Sequence, residues 1–86
     1  MIKVGQIYKL PISKSPVIVT NIENKKDKQF DWIYFITEEG LQERLWRKTV
    51  EETLELLAEY PTWQEAVNSS EFRGDRINEL GRRYGI

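Results

Sequence analysis

The fold turns on one stretch, Leu41-Gln42-Glu43-Arg44-Leu45-Trp46-Arg47-Lys48-Thr49-Val50-Glu51-Glu52-Thr53-Leu54-Glu55-Leu56-Leu57-Ala58-Glu59-Tyr60-Pro61. Its start, 41–46, reads as a strand returning from a hairpin. At Thr49-Val50-Glu51-Glu52 the pattern changes to a capping box, in which a Thr hydroxyl takes an orphan N–H and the Glu three residues on reaches back. Val50, Leu54, Leu57 and Ala58 then recur at helical spacing, while Glu51, Glu52, Glu55 and Glu59 stay polar. Tyr60 extends that stripe and Pro61 ends it, so the spacing predicts a helix over about 50–60. Thr62-Trp63-Gln64-Glu65 is a second capping box, opening a short helix over 63–68 that buries Trp63, Ala66 and Val67. The sequence therefore places a switch from strand to helix near residue 49.

Upstream lie three further strand signals. Residues 5–10 carry Ile7 and Tyr8 among polar neighbours, bracketed by Gly5 and Pro11. Residues 16–22, Pro-Val-Ile-Val-Thr-Asn-Ile, are β-branched at five of seven positions, which suits a pleated surface better than a helix. Both faces are partly apolar, with Val17 and Val19 on one and Ile18 and Ile22 on the other. Residues 30–37 set Trp32, Tyr34 and Ile36 against Ile33 and Phe35, and Glu38-Glu39-Gly40 fits a three-residue hairpin with Gly in the left-handed position. Glu23-Asn24-Lys25-Lys26-Asp27-Lys28-Gln29 has no apolar anchor and reads as a long exposed loop. Downstream, Asp75 can cap a last helix over 76–83 carrying Ile77 and Leu80.

The expectation is one small α+β domain, 1–86: an antiparallel meander over 1–48, a helical cover over 49–70, and a helical or flexible tail over 71–86. The layout of Gly5-Gln6-Ile7-Tyr8, of 17–22 after a Pro-bearing loop, and of 32–37 paired through Glu38-Glu39-Gly40 with 41–46 resembles the small SH3-like β-barrel class. The resemblance covers about half the chain, and no motif specific to one family accompanies it. It implies a four-stranded curved sheet or half-barrel, in a class whose members mostly bind peptides, protein surfaces or nucleic acids. A fifth short strand normally closes such a barrel, and here the chain is expected to pass straight into a helix.

Composition excludes more chemistry than it suggests. There is no Cys and no His, which removes disulfides, thiolate nucleophiles, the usual neutral-pH base and the commonest metal ligands. The carboxylates at Glu38/Glu39 lie on opposite strand faces, and Glu51/Glu52 suit the positive end of a helix. With no phosphate loop or nucleophile elbow either, no catalytic residue, metal ligand or cofactor is assigned, and the chain is expected not to be an enzyme. No apolar run spans a bilayer and the start has no signal-peptide core, so a cytoplasmic protein without a membrane partner is expected. Arg73-Gly74-Asp75 and Asn68-Ser69-Ser70 spell adhesion and glycosylation motifs, but read here as helix-cap and loop residues.

Binding is the expected function. Residues 1–30 hold six Lys against two acids, whereas 31–70 hold nine acids against three basic residues. Interfaces favour exposed aromatics beside Arg, so Arg44, Trp46, Arg47 and Lys48, with Tyr8, Trp32 and Tyr34, form the candidate surface for an unidentified protein partner, in the manner of a regulator or inhibitor. Phe30, Phe35 and Trp63 are expected in the core. An alternative is weak nucleic-acid binding through Lys25, Lys26 and Lys28 with the sheet aromatics. A third is a homodimer paired through open sheet edges.

Overall fold

A computed structural model of the chain describes residues 1–72. The order is β1 (Gln6–Lys9), β2 (Pro16–Glu23), a 3-10 turn (Lys28–Phe30), β3 (Trp32–Thr37), β4 (Gln42–Trp46), α1 (Arg47–Thr53), β5 (Glu55–Glu59) and α2 (Trp63–Val67). The strands form one open antiparallel sheet of five, ordered β4-β3-β2-β1-β5. The meander is as expected, and Gly40 takes φ +85° at the β3–β4 hairpin, donating to the Thr37 carbonyl at 3.0 Å.

Two expectations are corrected. The helix over 50–60 is a shorter helix followed by a strand, so the sheet has five strands rather than four. α1 begins at Arg47 without a side-chain cap, and Thr49 lies inside it, its carbonyl accepting from the Thr53 hydroxyl at 2.6 Å. Thr49 therefore does not serve as a capping box. The helix stops where Leu54 turns extended, and residues 55–59 pair with β1 instead. Helix propensity differs among ordinary residues by only about 0.7 kcal/mol each. Completing a ladder beside β1 outweighs it for so short a segment. Thr62 does cap α2, accepting from the Glu65 N–H at 3.2 Å, so the second cap lies where the sequence places it, although the Glu65 carboxylate meets the Thr62 hydroxyl rather than its N–H. The expected helix over 76–83 lies outside the described residues.

Side chains pack on both faces of the sheet. On one, Ile2, Tyr8, Val17, Val19, Ile33, Phe35 and Val50 form a cluster that α1 closes. On the other, Ile7, Ile18, Ala66, Val67 and Phe72 do so under α2, with Ile36, Ala58, Tyr60 and Trp63 around them. A bulge in β2 shifts the register between Val19 and Asn21. Such an extra residue reverses the alternation of side chains beyond it. Ile22 consequently joins Val17 and Val19 rather than Ile18, and Asn21 and Glu23 turn to the opposite face, across from Tyr34 and Trp32.

Candidate functional site

α2 covers the β1–β2 side of its face. At the β3–β4 side the same face carries Trp32 and Tyr34 opposite Trp46 and Arg44, paired directly across the ladder, where aromatic pairs add to sheet stability. Phe30, at the end of the 3-10 turn, joins them. Its ring meets that of Trp46 edge-on at 5.3 Å, and the Trp46 and Trp32 rings lie 5.7 Å apart, tilted by 32°. The Arg44 guanidinium carbon stands 4.1 Å from the centre of the Trp32 ring, a cation–π contact. The Tyr34 hydroxyl donates to Glu23 at 3.3 Å. Trp46 is 45% and Phe30 43% exposed, and Trp32 and Tyr34 are half-buried. Phe30 is thus corrected from core to surface, while Phe35 is buried and Trp63 half-buried.

Tyr8 stands apart from this surface. It is 7% exposed, on the opposite face, with its ring against Phe35 and its hydroxyl donating to Gln6 Oε1 at 2.9 Å. Burial raises its pKa above 10.0, aided by the Glu51 and Glu59 carboxylates and opposed by Arg47. The buried Gln6 also donates to the Met1 carbonyl and to Glu59, tying the chain start and β5 to β1.

Arg47 is likewise structural. Its side chain pairs with Asp31 at 3.0 Å, and its backbone N–H donates to the Asp31 carbonyl at 2.9 Å. Asp31, 0% exposed, also accepts from the Lys25 N–H at 2.6 Å. The Lys25 N–H is the main cause of its lowered pKa, with Arg47 and Lys28 adding to it against the effect of burial. This clasp fastens the polar loop 24–30 to the start of α1, and so sets Phe30 against Trp46. Asp31 was not singled out from the sequence, although a lone acid inside an aromatic and β-branched run is its signal. A cleft of about 510 Å³ beside the clasp has Lys28, Asp31, Arg47 and Glu51 in its lining, charges that largely answer one another.

Lys48 is exposed in the first turn of α1. Lys25, Lys26 and Lys28 are exposed in or beside the loop, and Lys25 pairs with Glu23 at 3.5 Å. Among the described residues no group of three or more His, Cys, Asp or Glu side chains converges as a metal site, and no helix is long and apolar enough to cross a membrane.

These features define a small α+β domain with an aromatic face left open on one half of its sheet. Set against known protein families, curated proteins and solved structures, the chain matches none.

Proposed function

We propose that the protein is a non-enzymatic binding module that docks another protein on the face made by Phe30, Trp32, Tyr34, Arg44 and Trp46. The observation that carries this reading is the exposure of a mutually packed aromatic group on an ordered sheet. Rigid aromatic anchors beside Arg are the usual energetic centres of interfaces, because they bury large area for little lost side-chain freedom. The likeness to the SH3-like class is supported by β5, a short last strand that returns to β1, and limited by a sheet that stays open. The expectations of no catalytic role and of a cytoplasmic setting belong to this same reading.

Nucleic-acid binding is the second reading. It is disfavoured by the rings themselves, since Arg44 already covers Trp32, and Phe30 and Trp32 flank Trp46 where a base would stack. Edge pairing of two copies through β5 fares worse. Its sequence Glu55-Leu56-Leu57-Ala58-Glu59, paired antiparallel about Leu57, sets Glu55 opposite Glu59 of the second copy, and like charges there are destabilising.

The test uses the full chain as bait. Wild type retains a defined protein after nuclease treatment, and Trp46→Ala and Arg44→Glu each weaken retention at least tenfold with urea midpoints close to wild type, as losses above ~1 kcal/mol at a hot spot would give. Retention that survives both substitutions, or that nuclease abolishes, overturns the proposal.

A further inference from the structure

We infer that the segment docking on the aromatic face is acidic: an extended stretch of a partner protein carrying Asp or Glu around an apolar anchor. The inference rests on the docking proposal and adds the chemistry of the ligand.

The chain as a whole is slightly acidic, with 13 Lys and Arg against 14 Asp and Glu. Its acids gather on α1, β5 and α2, at Glu51, Glu52, Glu55, Glu59 and Glu65. The β3–β4 hairpin holds Glu38 and Glu39, but at the far end of β3 from Trp32. Beside the rings the loop 23–31 has three Lys against three acids, and those acids are occupied: Asp31 by Arg47 and the Lys25 N–H, Glu23 by Lys25 and the Tyr34 hydroxyl, and Asp27 by the backbone and side-chain amides of Gln29. Glu43 lies on the opposite sheet face, across from Phe35. Lys26, Arg44 and Lys48 are exposed and form no salt bridge among the described residues. Lys48 shares its helix with Glu51 and Glu52, so Lys26 and Arg44 contribute most. The open aromatic surface therefore carries one cation, Arg44, in contact with a ring, and adjoins in sequence a lysine-bearing loop whose acids are already engaged.

Complementary charge around an apolar centre selects partners and speeds their encounter, and a like-charged partner there loses several kcal/mol. Arg44 serves both parts, since its guanidinium lies on Trp32 while keeping hydrogen-bond donors for a carboxylate. The same charges could attract phosphates, and the oligonucleotide arm of the test separates that outcome from an acidic peptide.

The probes are a synthetic peptide alternating Glu or Asp with Leu, a Lys–Leu peptide of equal length, and a thymidine oligonucleotide. Each is titrated into the isotopically labelled full chain while the indole N–H resonances are followed. The acidic peptide is expected to shift the Trp32 and Trp46 signals more than those of Trp63. It should bind roughly tenfold tighter than the Lys–Leu peptide, and weaken roughly tenfold in Lys26→Glu or Arg44→Glu and on raising salt. Equal or tighter binding of the Lys–Leu peptide at the same rings overturns the inference and leaves the docking proposal standing. Preference for the oligonucleotide overturns both. If no probe shifts the Trp32 or Trp46 indole, the inference falls, and the docking proposal is then judged by retention on the Trp46→Ala bait.

Discussion

Gly5→Ala is expected to lower the free energy of unfolding by about 3 kcal/mol or more, a large fraction of the ~0.05–0.15 kcal/mol per residue that domains possess. Gly5 holds φ +96°, and a Cβ built there would lie 2.2 Å from the Tyr60 carbonyl oxygen and 3.1 Å from its carbon. Backbone atoms cannot swing aside as a side-chain tip does, so the end of β5 must separate from the start of β1. That separation breaks the 3.1 Å bond from the Tyr60 N–H to the Gly5 carbonyl, and a left-handed conformation at Ala adds its own strain. Urea unfolding at unchanged slope is the measurement. A loss below ~1 kcal/mol would mean that the β5–α2 junction does not approach Gly5 this closely.

Asp31→Asn is the second large effect, expected to lower Tm by about 10 °C or more at pH 7. The amide keeps the shape and one acceptor but loses the charge, so Arg47 keeps a partly buried guanidinium with no anion beside it. Removing one member of a buried pair is costly because the other remains desolvated. The pH dependence follows from the lowered carboxyl pKa, which favours the folded state while the group is ionised in both states. That stabilisation is present above the ordinary value of 3.8 and fades as pH falls through the lower folded-state value. The Tm gap between wild type and Asp31→Asn should thus be full at neutral pH and close only in strong acid. A gap that closes between pH 7 and about 5 would contradict the clasp. The substitution should also loosen Phe30 from Trp46, so the docking face and the fold share this support.

The meander was legible because its cues are local. Trp32, Tyr34 and Ile36 alternate with Ile33 and Phe35, and Gly40 marks the hairpin, so β3 and β4 follow from neighbours in sequence. Residues 55–59 were not legible. Leu54, Leu57 and Ala58 sit at helical spacing, and only the vacant side of β1, distant in sequence, makes them a strand. Ala58 then stands opposite Ile7. Val50 kept its core position although its helix starts earlier than Thr49 suggested. At the candidate site Trp32, Tyr34, Arg44 and Trp46 fall together because two paired strands place them there, a register the hairpin already implied. Tyr8 groups with them in the sequence because alternation gives a face but not its sign. The sequence leaves Arg47 free for a partner because Asp31, which engages it, comes sixteen residues earlier. Phe30 reads as core because a large aromatic in a small protein usually is, and its exposure depends on a turn that Asp27 and Asp31 shape.

The paired indoles of Trp32 and Trp46, 5.7 Å apart and tilted by 32°, are near enough for their electronic transitions to mix. Light absorbed by one is shared with the other, and the protein should carry a split optical signature from this indole pair. Anything settling on the surface and prising the two apart would alter that signature with no dye attached, so the molecule comes with its own optical gauge.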